Sequence, residues 1–194
     1  MKLSKTLLAL FAAAGLAATG ASLAATGSKD ARDQAIKTAE SQYKTDKQAC
    51  DSLSGNAKDV CVEEAKGKEK VAKADAKAAY EGTPKARESA RVARADAMYE
   101  VAKEKCDDLA GNAKDICVKE AKATHVKATA DAKVDRVASE GARNSADKTA
   151  AARAEASQDK RDADYKVAVE KCDGLAGDAK DACVRDAKMR FGKS

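Results

Sequence analysis

The sequence predicts an all-α protein: three disulfide-stapled αα-hairpins in an elongated or loosely bundled array. Three observations carry this expectation. A segment bounded by cysteines occurs three times, as CDSLSGNAKDVC (Cys50 to Cys61), CDDLAGNAKDIC (Cys106 to Cys117) and CDGLAGDAKDAC (Cys172 to Cys183). Between these segments the chain is rich in Ala, Lys, Glu and Arg, all strong helix formers. Beyond Ala24, Leu, Ile, Val and Phe together number only 18, too few for a large packed core, so the helices need a further source of stability.

The first element is an expected signal peptide over residues 1–24. Lys2 and Lys5 form a basic start, and Thr6 to Ala18 is an apolar run shorter than the ~20 residues that span a bilayer. Ser22 and Ala24 are small residues at the −3 and −1 positions of a cleavage site, which places cleavage near Ala24. The remaining chain has no second hydrophobic segment, so no membrane span is expected after cleavage and the location is periplasmic or secreted.

Hairpin repeat 1 is expected over residues 28–81. Ser28 can cap its first helix, which runs to about Cys50, and the second runs from Asn56 to about Tyr80. EGTP then breaks the chain: Gly82 stops one helix, Thr83 caps the next, and Pro84 takes its first position. Repeat 2 covers 83–140, with helices ending at Cys106 and near Glu140. Gly141 and Asn144 mark another break. Residues 141–164 lack a large apolar side chain and are expected as an exposed helix or a linker. Repeat 3 covers 165–191, and 192–194 form a tail.

The cysteine spacing explains the hairpins. In one continuous helix, residues eleven apart would lie about 16 Å apart. A disulfide needs Cα atoms within about 7 Å. If each pair joins internally, the chain must reverse between its cysteines. Gly55, Gly111 and Gly177 suit a left-handed helix stop, and Asn56, Asn112 and Asp178 suit the cap of the next helix. Asp59, Asp115 and Asp181 follow near the positive end of that helix. Tyr43, Tyr99 and Tyr165 precede the first cysteines by seven residues; Leu53, Leu109 and Leu175 follow them by three. Each Tyr, Cys and Leu is expected on one packing stripe. Alanines four before and after the second cysteine (Ala57 and Ala65, Ala113 and Ala121, Ala179 and Ala187) form the facing stripe. Zinc binding, a thiol switch and disulfides between modules or chains are the other uses of six cysteines. Zinc takes four ligands, against one His and separated pairs here, and the C-x-x-C redox pattern is missing.

Charge excludes other classes. Beyond the start, 35 basic residues face 32 acidic ones, a net charge of +3, and opposite charges stand one helical turn apart, as at Glu64 and Lys68. No basic block alternates with aromatic residues, so no nucleic acid is expected as partner. His125, the one histidine, lies in the polar stretch THVK and reads as a surface residue; no triad context or phosphate loop accompanies it. No enzyme activity, cofactor or metal is expected.

The module Y-x6-C-x2-L-x-G-[ND]-A-K-D-x-C spans Tyr43–Ala65, Tyr99–Ala121 and Tyr165–Ala187. It resembles modules of exported, Ala/Lys-rich proteobacterial proteins, a poorly characterised group often called TolA-like or cell-envelope proteins. The TolA likeness itself extends only to the Ala-, Lys-, Asp- and Glu-rich central helix of that protein. The resemblance implies an envelope location and carries no catalytic residue. Three functions are expectations at this point. The first is a structural or interaction protein of the envelope, meeting an envelope protein, peptidoglycan or anionic lipid. The second is a desiccation protectant similar to late-embryogenesis-abundant proteins, and the third a redox-responsive chaperone.

Overall fold

The computed structural model describes residues 27–140 and 145–193. The expected signal peptide, the break at Gly141 and Asn144, and Ser194 lie outside the described residues. Among the described residues six α-helices follow one another: α1 (Lys29–Ala49), α2 (Gly55–Glu81), α3 (Pro84–Cys106), α4 (Gly111–Ser139), α5 (Ser145–Cys172) and α6 (Gly177–Phe191). No strand occurs among the described residues. Each helix packs against its neighbours in sequence and against no other. The three hairpins are therefore not separate beads: α2 packs on α3 and α4 on α5, giving a serial array, in the manner of a short solenoid.

Local sequence sets the helix ends. The Ser28 hydroxyl accepts from Ala31 N–H (3.1 Å), and the Thr83 hydroxyl accepts from Ala86 N–H (3.0 Å) ahead of Pro84. Gly82 closes α2 at φ 62°, a left-handed conformation that costs a side chain free energy. At the far end Gly192 ends α6 at φ 64°, and the tail residue Lys193 reaches back to Asp162 on α5 (2.6 Å).

Two expectations change here. Gly55, Gly111 and Gly177 do adopt positive φ, near 57°, but they open the second helix of each hairpin instead of ending the first. The first helix of repeat 1 ends earlier, in a 3₁₀ turn at Cys50–Ser52. Asn56, Asn112 and Asp178 thus lie inside the first turn; the capping positions belong to Ser54, Ala110 and Ala176, none of which makes a side-chain cap bond. Asp59, Asp115 and Asp181 lie past the first turn for the same reason. Residues 145–164, expected as an exposed helix or linker, belong to α5. Thr149, Ala152, Ala156 and Ala163 form a buried stripe on it.

The core is a set of seams. Among the described residues its buried side chains are almost all alanines, and the largest with no exposure are Cys50, Cys106 and Cys172. Alanine lets helix backbones approach closely while contributing little apolar area, which matches a chain poor in large aliphatics. In the α2–α3 seam Gly67 is so close to α3 that a Cβ there would stand 3.1 Å from the Ala97 Cβ. Counting from the first cysteine of each hairpin, the corresponding seam residues Ala123 and Ala163 are both buried. At the ends of the array the pattern stops: α6 carries Met189, 73% exposed, at the Gly67 position, and α1 carries exposed Ser41 at the Ala97 position.

Candidate functional site: a row of disulfide-capped tips

The six cysteines pair within the hairpins, Cys50–Cys61, Cys106–Cys117 and Cys172–Cys183, each with Cα atoms 5.7 Å apart. Within every pair the first cysteine is fully buried and the second half-buried. Because consecutive helices run antiparallel, all three disulfide-closed turns fall along one edge of the array. The ion pairs give this order directly: Glu64 meets Lys105 (3.2 Å) near the tips, and Asp75 meets Arg94 (2.8 Å) farther away.

The three tips are near copies. Backbone N–H of Leu53, Leu109 and Leu175 donates to the carbonyl of the first cysteine at 3.0, 3.0 and 2.9 Å. An ion pair clamps each turn: Asp51–Lys58 (3.0 Å), Asp107–Lys114 (3.0 Å) and Asp173–Lys180 (2.9 Å). The leucines do not join the packing stripe expected of them. They are 42, 44 and 46% exposed, because the chain has left the helix and turned extended, as at Leu53 (φ −98°, ψ 166°), before the third residue past the cysteine. Each tip therefore presents one apolar side chain beside a charge-neutral Asp–Lys pair.

The second and third tips are tied together, whereas the side-chain nitrogen of Asn56 at the first tip is buried without a partner. With its amide oriented to satisfy both groups, Asn112 donates to the Glu170 carbonyl (3.2 Å) and accepts from Gly174 N–H (3.1 Å). This is the structural use of a residue expected as a helix cap. A Cβ at Gly174 would reach 2.9 Å from the Asn112 side-chain amide. Asn56 is half-buried at the same place in repeat 1, whereas Asp178, with no further tip beside it, is exposed.

Behind the tips, the tyrosines do pack within hairpins. Tyr99 stacks obliquely on His125 (centroids 5.3 Å), and Tyr165 meets Phe191 edge-on (6.2 Å). Tyr43 is half-buried. His125 is not the surface residue expected: its side chain is 17% exposed and its Nε2 lies 2.7 Å from Asp96 Oδ1 on α3, while its Nδ1 is buried without a partner. Glu40, Asp96 and Asp162 occupy one position in the three repeats, ten residues before the first cysteine. Each holds a nitrogen-bearing side chain from across its hairpin: Lys73 of α2 (2.9 Å), His125 of α4, and Lys193 just past the end of α6 (2.6 Å). Burial raises the Asp96 carboxyl, but hydrogen bonds from Lys70 and His125 outweigh it and leave it below the usual carboxylate range. Hydrogen bonds from Lys73 and Lys193 lower Glu40 and Asp162 in the same way.

Sequence reasoning missed the tip clamps and this carboxylate row. Both become visible when the three repeats are aligned on their first cysteines. Among the described residues no three His, Cys, Asp or Glu side chains gather as a metal site, and no helix is long and apolar enough to cross a membrane. No family model, curated protein or solved structure matches the chain.

Proposed function

We propose that the chain is a non-catalytic interaction protein of the cell envelope, exported through residues 1–24, which displays a row of three equivalent tips to a partner protein. The observation that carries this reading is the threefold recurrence of one exposed leucine on one cross-linked, ion-clamped turn. Isolated exposed apolar side chains are ordinary. Three held at corresponding places along one edge make a repeated contact surface, and repeat arrays bind through such surfaces. The Asp–Lys pairs beside the leucines neutralise each other, which favours a protein partner over anionic lipid. Three disulfides suit an oxidising compartment. The packed seams weigh against the desiccation-protectant reading, and the full burial of Cys50, Cys106 and Cys172 weighs against a redox-responsive chaperone.

The test is fractionation of cells producing the protein with Leu53, Leu109 and Leu175 intact or all changed to Ser. Both forms should appear in the periplasmic fraction without residues 1–24, with equal helicity. Only the intact form should stay with isolated envelopes. Equal retention of the two would overturn the tip reading. Salt-sensitive retention on protein-free anionic vesicles would move the partner from protein to lipid.

A further inference from the structure

Alignment on the first cysteines matches the two seams between hairpins residue by residue. Glu64–Lys105 and Asp75–Arg94 in the α2–α3 seam recur as Glu120–Lys171 (2.7 Å) and Asp131–Lys160 (2.5 Å) in the α4–α5 seam. Between its two pairs, the α4–α5 seam is closed by Lys127–Asp164 (2.5 Å). At those same two positions the α2–α3 seam has Val71 and Met98. Met98 is 62% exposed there, and with Val101 and Val71 it lines an open groove of about 660 Å³ floored by Gly67 and Ala97. One seam is sealed by a central ion pair; the other is left apolar at its centre.

We propose that this groove is a homodimer interface: a second copy of the chain packs its own α2–α3 groove onto it, about a two-fold axis parallel to the helices. The rim charges select the occupant and the axis. Both acidic members, Glu64 and Asp75, lie on α2, and both basic members, Lys105 and Arg94, lie on α3. Rotation about an axis along the helices sets α2 of each copy over α3 of the other at the same height. Glu64 then faces Lys105 of the second copy, and Asp75 faces its Arg94. An axis across the helices would instead set Glu64 against Asp75 and Lys105 against Arg94, like upon like, which opposes association. Lys68, the remaining charge on the rim, is engaged by Asp46 of α1 (3.5 Å). Val71 and Met98 from both copies form the water-free centre that such an interface needs. The α4–α5 seam cannot serve in this way, since burying Lys127 and Asp164 would strip water from a charged pair. This inference does not depend on the envelope reading.

Sedimentation velocity of the oxidised full chain tests it with two variants. Val71→Lys with Met98→Asp writes the Lys127–Asp164 pair into the first seam, an arrangement this fold already accommodates, so helicity should be retained. Wild type should sediment as a dimer and this variant as a monomer at the same concentration. A fourfold variant, Glu64→Lys, Asp75→Arg, Arg94→Asp and Lys105→Glu, reverses the rim while keeping each pair within the chain. It should dimerise with itself but not exchange with tagged wild type. A monomeric wild type overturns the proposal, as does a V71K/M98D variant that remains dimeric. Free exchange between wild type and the reversed variant overturns the axis. A wild-type monomer carrying an acyl chain in its native mass spectrum assigns the groove to lipid instead.

Discussion

His125 and Asp96 illustrate what single residues contribute here. Their contact joins α4 to α3, and Lys70 joins the same carboxylate to α2 (2.8 Å), so one aspartate links three helices. Its folded-state titration lies below the unfolded value of about 4. A carboxylate shifted in this direction adds stability that is complete above the unfolded value and lost as pH falls through the folded one. The thermal midpoint of wild type should therefore fall as pH drops below about 4, and Asp96→Asn should flatten part of that slope. Parallel slopes in the two proteins would show that the contact is energetically silent. The sequence gives no sign of this link, because Asp96 is one of many acidic residues and its partner lies 29 positions away. Leu53 and Asn112 misled for a related reason. Spacing places Leu53 on a helical stripe, but the helix has already ended; Asn112 has the chemistry of a local cap, but its partners are on another hairpin.

At the scale of elements, each hairpin is closed covalently at its turn. Replacing Cys106 and Cys117 together by Ser should cost about 3 kcal/mol, the chain-entropy value for a loop of this length. Urea unfolding measures it, and a loss near zero would assign the turn's stability to the Asp107–Lys114 clamp and the seam alone. Most elements were legible in advance because their boundaries carry strong local chemistry: Gly82, Thr83 and Pro84 mark the α2–α3 junction, and the cysteines mark the three tips. The start of α5 was not. Its buried stripe of Thr149 and alanines has almost no hydropathy contrast with its exposed face, so periodicity cannot separate a packed helix from a solvated one.

The whole molecule has the energetics of a row. Each helix touches only its neighbours, so α2 to α5 are supported on both sides, with α3 and α4 farthest from the ends, whereas α1 and the short α6 are supported on one. Amide exchange should be slowest in α3 and α4 and fastest in α6, as local opening proceeds from the ends. Uniform protection would show a single cooperative unit. This serial order was not legible from sequence, because the seams are built from alanines among many alanines, and pairs such as Glu64–Lys105 are chosen from dozens of interchangeable charges. Met189 and Ser41, which stand at the two ends where the seams carry Gly67 and Ala97, have a consequence for length. Met189 puts a bulky side chain where a seam carries glycine or alanine, so the array is lengthened more readily from within than beyond α6. Tandem copying of the span from Cys50 to Lys105 would add one tip and one seam with both faces matched. The same span appended beyond Phe191 would have to pack over the Met189 side chain where an inner seam offers glycine or alanine.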